Sequence, residues 1–186
     1  MSRLSYSLLA AAAAIALVAP AMAQEAEQLG DSSYGESTIT VTVPSLVQIN
    51  GVDNIIFGEL TADHIKNGHT QSDSVCVFSN VADHGYVVKA EGSGEDDAFT
   101  LSQVGGEGTE VPLAYEVTFG PTGNGTPINN PGDTVIGTGS ESIACSSDNA
   151  SFEVILSSEN LEKVTAGNYS GTLTLTVSPP EEEPAG

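Results

Sequence analysis

Residues 166–177 read AGNYSGTLTLTV, and this stretch decides the fold of the chain. Leu173, Leu175 and Val177 alternate with threonines, so an extended chain carries its apolar side chains on one face and its hydroxyls on the other. This period of two is typical of a half-buried β-strand. A similar run, STITVTV at residues 37–43, lies more than a hundred positions earlier. Two matching strands at the two ends of a domain leave open whether the first completes its own sheet or that of a neighbour.

Between these runs, short apolar segments are separated by Gly, Asn, Asp and Pro, without a convincing amphipathic helix of ten or more residues. This pattern predicts an all-β fold with an immunoglobulin-like antiparallel β-sandwich. The chain has no tryptophan, so a core built around Trp, as in antibody domains, is excluded. The predicted strands are residues 38–43, 46–49, 54–57, 74–78, 86–90, 99–103, 113–119, 151–156 and 171–177, with solvated loops at residues 92–97, 105–108 and 120–132.

The first 23 residues have the three regions of a secretory signal peptide. Arg3 precedes an apolar stretch at residues 8–18, and Ala21-Met22-Ala23 is a small-residue cleavage site. The apolar stretch is too short to span a bilayer comfortably. We therefore expect an exported protein without membrane insertion.

The composition is strongly acidic, with 25 Asp and Glu against 4 Lys and Arg and a formal net charge of −21. Such a surface repels nucleic acid and anionic membranes. Solubility explains this charge, and binding of a cationic ligand or divalent ions is the alternative. No ligand spacing in the sequence supports that alternative.

The chain has two cysteines, Cys76 and Cys145. An oxidising compartment favours a disulfide between them. A catalytic thiol pair is disfavoured, because there is no C-x-x-C and no basic residue beside either cysteine to stabilise a thiolate.

Several features together resemble the pilin subunits of chaperone-usher systems. They are the Thr/apolar run 38–43, the break at Pro44, the apolar run 46–49 and the terminal AGNYSGTLTLTV. The resemblance is closest to the alpha-type (class 5) fimbrial major subunits and looser to the spore coat protein U-like pilins of archaic pili. The GNYSG turn at residues 167–171 that enters the final strand is its most specific element.

In that family the immunoglobulin-like fold lacks its last strand, which a periplasmic chaperone supplies and the N-terminal extension of an incoming subunit later replaces. The resemblance therefore implies a structural shaft subunit of a surface fimbrium that polymerises head-to-tail and supports adhesion or biofilm formation. Its implied partners are identical subunits, a periplasmic chaperone and an outer-membrane usher. It implies a donor strand of Thr38, Ile39, Thr40, Val41, Thr42 and Val43, and an acceptor groove bordered by Tyr169, Leu173, Leu175 and Val177.

The expected organisation is a signal peptide at residues 1–23, a mobile extension with the donor strand at 24–43, the pilin domain at 44–178 and an acidic Pro/Glu tail at 179–186. Pro44 and Ser45 form the hinge, because proline fixes φ and has no ladder donor. The tail departs from the family, whose subunits usually stop soon after the last strand.

Two alternatives stay open. Residues 38–43 could pair within their own sandwich, and the protein would then be a self-complete binding module for carbohydrate or divalent ions. His64, His69 and His84 lie near aspartates in sequence but without a metal-ligand spacing, so they are predicted as solvated loop residues. Residues 95–97 lack the alternating acidic order of a calcium loop. No hydrolase or nucleotide motif occurs, and we predict neither catalytic residues nor a cofactor or metal.

Overall fold

The structure is a computed structural model that describes residue 32, residues 34–106 and residues 110–181. The predicted signal peptide, most of the predicted extension before residue 34 and tail residues 182–186 lie outside the described residues. The chain divides between Thr42 and Val43 into two units, and the fold below is that of the second. No described helix is both long enough and apolar enough to cross a membrane.

The described residues of the second unit form short strands, two short helices and two 3-10 turns (Ala82–His84 and Glu95–Asp97). The helices are α1 (Ala62–Asn67) and α2 (Ser158–Leu161). The strands are β1 (Val47–Asn50), β2 (His69–Ser79), β3 (Gly85–Glu91), β4 (Thr100–Gln103), β5 (Leu113–Ala114), β6 (Glu116–Gly120), β7 (Thr126–Ile128), β8 (Thr134–Thr138), β9 (Ala150–Leu156), β10 (Tyr169–Ser170) and β11 (Thr174–Ser178).

The strands pair antiparallel in three sheets. A five-stranded sheet has the order β1-β2-β9-β6-β7, and two three-stranded sheets have the orders β11-β3-β8 and β10-β4-β5. In β3 the side chains alternate between buried and half-buried, which is the pattern of a strand covered on one face. The predicted all-β, immunoglobulin-like antiparallel sandwich is confirmed.

The core lies between the inner faces of these sheets. Tyr86 of β3 and Phe119 of β6 meet edge to face, with ring centroids 6.4 Å apart and an interplanar angle of 89°. Val88 and Val117, which are also fully or almost fully buried, belong to the same cluster. Each side chain of this size stabilises the fold by about 1.5–3 kcal/mol when buried.

The second half of β2 has no strand on one of its edges, and the Asn149 side chain and the Ser140 backbone take the place of that strand. Residues 69–75 pair with β9, and residues 76–79 pair with β1. On the edge away from β1, the Val77 N–H donates to Asn149 Oδ1 (2.9 Å), and Asn149 Nδ2 donates to the Val77 carbonyl (2.8 Å). The Ser140 N–H also donates to that carbonyl (2.7 Å).

A disulfide between Cys76 and Cys145 fastens the same loop to β2, with Cα atoms 5.7 Å apart. This is the pairing that export to an oxidising compartment favours. The two cysteines are 69 positions apart in the chain, and closing a loop of this size restricts the unfolded chain by about 4 kcal/mol.

Several strand predictions need correction. Residues 54–57 are not a strand, although Ile55 and Phe57 are half-buried and Ile56 is exposed, because no neighbouring strand pairs with them. The run 113–119 breaks at Tyr115 into β5 and β6. Residues 120–132 are not all loop, since they contain β7, whose Pro127 is tolerated because β7 lies at a sheet edge. Strand β8 was not predicted.

The first residues of the predicted tail lie against the domain. A Cβ atom at Gly85 would come within 3.2 Å of Pro180 Cγ, so the Pro180 ring packs on the start of β3. Pro179 and Pro180 are both half-buried.

Asn149→Ala is expected to destabilise the fold by about 2–4 kcal/mol, because it leaves the N–H of a fully buried residue without its partner. Chemical denaturation followed by circular dichroism measures this change. Asn130→Ala is the matched control: its amide also bonds a neighbour, Asp133, but at an exposed turn. An equal loss in both variants would contradict the structural role assigned to Asn149.

Candidate functional site

Strands β10 and β11 each have one edge that no other described strand pairs with. Strand β10 pairs with β4, and β11 pairs with β3. Each is the last strand of its sheet, so no strand of the described ranges covers the second edge of either. Unpaired N–H and C=O groups along such an edge can template pairing with another chain.

An apolar groove of about 960 Å³ lies beside this edge. One wall is the strandless segment around Ile55, Phe57 and Leu60, and the other is the chain from Val164 to Leu173. Ile65 of α1 also lines the groove. The other lining side chains are mostly apolar and belong to the core or pack against it: Leu101, Leu113, Tyr115, Val154, Leu156 and Leu161. The groove is therefore a gap in the core that opens at the sheet edge.

The first wall is held in place by aromatic rings. The Phe57 ring meets His69 of β2 edge to face, with centroids 5.5 Å apart. His69 stacks on His64 of α1 at 4.0 Å with nearly parallel rings. His64 and Thr61 form a capping box, in which Thr61 Oγ1 accepts the His64 N–H and His64 Nδ1 accepts the Thr61 N–H, each at 3.3 Å. These contacts fix the start of α1 and the wall that precedes it.

The second wall contains the GNYSG turn, and hydrogen bonds fix its backbone. Tyr169 Oη donates to the Thr165 carbonyl (2.8 Å), and the Val104 N–H donates to the Asn168 carbonyl (2.7 Å). Past the turn, the Thr172 N–H donates to Ser93 Oγ (2.8 Å). Gly171 is required here, because a Cβ would lie 3.0 Å from the Thr100 carbonyl oxygen and 2.9 Å from Ser93 Oγ.

Tyr115 places a polar group in the lining of this apolar groove. Its side chain is buried, and its hydroxyl has no hydrogen-bond partner within the described part of the chain. Burial raises the pKa of Tyr115 to about 12, because the phenolate would lose its hydration. The ring packs at a tilt on Phe99, with centroids 5.7 Å apart.

Of the four residues predicted to border the groove, two line it and two do not. Tyr169 and Leu173 line the groove. Leu175 and Val177 are half-buried on β11, where they pack against the core but do not line the groove. The sequence does not predict residues 55–60 as the opposite wall, because their Ile-Ile-Phe run is typical of a strand.

The predicted donor strand, residues 38–43, is not paired in a strand. The exposed fractions of Ile39, Val41 and Val43 are 91%, 82% and 73%. Its role as a donor stays a prediction.

The histidines were predicted as solvated loop residues, and this prediction is wrong in part. His64 lies in α1, His69 begins β2, and His84 bonds the Ser79 carbonyl through Nδ1 (2.8 Å), with all three only partly exposed. Across the described ranges, no three His, Cys, Asp or Glu side chains gather as metal ligands. Residues 95–97 form an exposed 3-10 turn.

Comparisons with known proteins bear on the fold. No protein-family model matches this chain, and no curated protein matches it. Among solved structures, it is similar to a chain from a study describing a chaperone–tip adhesin complex in the biogenesis of CFA/I fimbriae, with a TM-score of 0.53 and 14% sequence identity. The match covers 73% of this chain and 42% of that chain, so this chain spans less than half of its neighbour's length. At this identity the likeness supports the fold alone.

Tyr115→Phe is expected to make stability less sensitive to alkaline pH. An unfolded tyrosine ionises near pH 10, so above pH 10 the unfolded chain loses a proton that the folded chain keeps up to about pH 12. Stability is therefore full below pH 10 and falls as the pH rises, by ~1 kcal/mol at pH 11 for this residue. Near pH 7 the variant should be at least as stable as the parent, because the removed hydroxyl has no partner.

Urea denaturation at pH 8, 10 and 11 measures this difference. Tyr34→Phe, at an exposed position outside the core, is the matched control. A Tyr115→Phe variant with the same pH dependence as the parent would contradict the assigned cause.

Proposed function

We propose that this protein is a structural subunit of a surface fimbrium, which polymerises when residues 38–43 of one copy fill the groove of another. The observation that carries the proposal is the apolar groove beside the open edge of β10 and β11. An added strand would pair with that edge and cover the apolar side chains that line the groove.

The chemistry of residues 38–43 fits this groove. Ile39, Val41 and Val43 lie on one face of an extended chain, while Thr38, Thr40 and Thr42 lie on the other. Each buried apolar side chain would contribute about 1.5–3 kcal/mol. The donor face would meet groove residues such as Phe57, Leu60 and Leu173, and the threonines would remain towards water.

The mode of association also determines whether the subunits form a filament or a closed oligomer. Donor and acceptor are different surfaces of the same molecule, so each added copy presents a new donor and a new groove. Such a heterologous contact gives an open filament unless its rotation closes a ring. The chaperone and the usher, inferred from the resemblance, would protect the groove and order the assembly before the fibre reaches the cell surface. A shaft role in adhesion or biofilm formation follows from the same proposal, and the proposed role is structural with no enzymatic activity.

Binding of a peptide with the sequence of residues 34–43 (YGESTITVTV) tests the donor assignment. A fluorescent peptide should be captured when the denatured protein refolds in its presence, as measured by anisotropy. A Val41→Asn peptide should bind at least ~10-fold more weakly, because it loses a buried side chain and places an amide in the groove. A Thr40→Asn peptide is the matched control and should bind within about threefold of the parent, since position 40 lies on the other face.

Equal weakening by both substitutions would contradict the proposed face of the donor. Absence of capture together with absence of fibres in the purified protein would contradict the proposed function.

Fibre growth should be faster at higher salt. The chain carries a net charge of −21, so approaching copies repel each other, and salt screens this repulsion. Light scattering should show a growth rate several-fold higher at about 200 mM than at about 20 mM NaCl. Capture of peptide 34–43, which contains one acid and no base, should change much less and is the control. A growth rate that falls with salt would indicate attraction between charged surfaces instead.

A further inference from the structure

Tyr115 is a groove residue whose hydroxyl lacks a hydrogen-bond partner. The side chain lines the groove and is 5% exposed, and the hydroxyl is shielded from water and makes no hydrogen bond within the described part of the chain. A buried hydroxyl that stays unpaired destabilises a fold, and a phenylalanine would keep the ring contact with Phe99 without that penalty. The strand that fills the groove can supply the missing partner.

The strand register places Tyr115 at the level of Leu173, near one end of the groove wall. Phe99 and Tyr115 adjoin the paired residues of β4 and β5, and the Tyr115 N–H donates to the Phe99 carbonyl (2.9 Å). The register of β10 and β4, carried on past β10, sets Gly171 opposite Leu101 and Leu173 opposite Phe99. A Cβ atom at Gly171 would lie 3.0 Å from Leu101 Cδ2, which agrees with this register.

The groove ends at Leu173. Leu175 and Val177 follow on the same face of the chain, but they pack against the core and do not line the groove. From Leu173 the groove wall continues in the other direction, through Tyr169 and Gly167. A strand that fills the groove therefore has to extend from Leu173 towards Gly167.

The proposed donor segment carries a polar side chain on its apolar face. Ser37 lies two residues before Ile39, so an extended chain places it on the face of Ile39, Val41 and Val43. Ser37 is exposed in the structure. The hydroxyls of serine and tyrosine can each donate and accept a hydrogen bond, so Ser37 and Tyr115 are complementary.

Setting Ser37 opposite Leu173 also aligns the rest of the donor with the groove wall. Residues directly opposite each other in an antiparallel pair share a face. In this register the further pairs are Ile39 with Gly171, Val41 with Tyr169, and Val43 with Gly167. Both glycines of the wall thereby face β-branched side chains of the donor. A parallel strand that starts at Leu173 would instead run past Leu175 and Val177, outside the groove.

We propose that Tyr115 is a specificity-determining residue, whose hydroxyl bonds Ser37 of the inserted strand and so fixes the register with Ser37 opposite Leu173. The proposal rests on the proposed function, since it concerns the strand that fills the groove. A shift by two residues keeps the apolar face on the groove but brings an apolar side chain to Tyr115 and leaves its hydroxyl unpaired. A site with a buried polar group discriminates against a ligand that lacks the partner for it.

A double-mutant cycle tests the pair. Variant peptides compete with fluorescent peptide 34–43 while the parent protein or its Tyr115→Phe variant refolds, and anisotropy gives their relative binding. In the parent protein, a Ser37→Ala peptide should bind about fivefold more weakly than the parent peptide, because the hydrogen bond to Tyr115 is lost. In the Tyr115→Phe protein the same substitution should change binding by less than about twofold, because no hydroxyl remains to bond.

Thr38→Ala is the matched control peptide, since it removes the neighbouring hydroxyl on the other face of the strand. Its effect on binding should be the same in both proteins. A Ser37→Ala effect of equal size in both proteins would overturn the pairing with Tyr115.

A cysteine cross-link measures the register directly, with Ser37 and Tyr115 both present. Residues directly opposite in an antiparallel ladder have Cα atoms about 5.5 Å apart, which a disulfide spans, whereas residues two positions away are too distant. A Tyr169→Cys protein should therefore form a mixed disulfide with a Val41→Cys peptide at least ~10-fold faster than with an Ile39→Cys or a Val43→Cys peptide. A faster reaction of either of the latter would overturn the register, and this measurement decides the question if the Tyr115→Phe protein does not refold.

The outcomes separate the two proposals. If the parent protein captures the peptide and forms fibres, but the cycle shows no coupling or the cross-link shows another register, the role of Tyr115 is wrong and the proposed function stands. If the parent protein neither captures the peptide nor forms fibres, the proposed function fails, and the role of Tyr115 fails with it.

Discussion

The open edge of β10 and β11 is the constraint on which the rest of the structure depends. Backbone groups along this edge have no strand partner in the described part of the chain, and the core beside it is open as an apolar groove. A sandwich in water is stable only if its core is covered and its edges are paired or protected. The walls of the groove are fixed independently, one by Phe57, His69 and His64 and the other by the bonds of the GNYSG turn. The gap is therefore part of the architecture of the described residues, and the proposed function fills it with a strand from another copy.

Strand β2 runs from the groove wall at His69 to Asn80, which binds residues 44–46. Its second half is buried on both faces, with β1 on one edge and the Asn149 side chain on the other. The Cys76–Cys145 disulfide fixes the loop that carries Asn149. Immediately after β2, the Asn80 side chain forms hydrogen bonds with the backbone of Pro44 and Leu46 in the same manner. In both places an asparagine side chain takes the place of a paired strand, because its carbonyl oxygen accepts and its NH2 group donates, as the C=O and N–H of a peptide group do.

The charge of the molecule limits what can drive association. Lys89 and Lys163, two of the few bases, are paired with Glu91 and Glu159 on the same molecule. An acidic surface that repels its own copies leaves apolar burial and backbone pairing as the attractive forces. The likeness to a chain from a chaperone–tip adhesin complex, at 14% identity and over 42% of that chain, supports the sandwich fold alone.

Local patterns determined the all-β class, the strands with clear alternation and the exposed Thr/apolar run at residues 38–43. Alternation is a property of consecutive residues, so sequence suffices to predict it, as for β3 and β9. Residues 54–57 contain the apolar run Ile-Ile-Phe and are nevertheless not a strand, because strand formation requires a partner and no described strand pairs with them. Strand β7 was not predicted, because the residues around it are rich in Gly and Pro, which is typical of a loop. Only the tertiary structure brought Phe57, Leu161 and Leu173 to one groove and placed Asn80 beside Pro44, because these contacts join residues that are far apart in the chain and leave no local pattern.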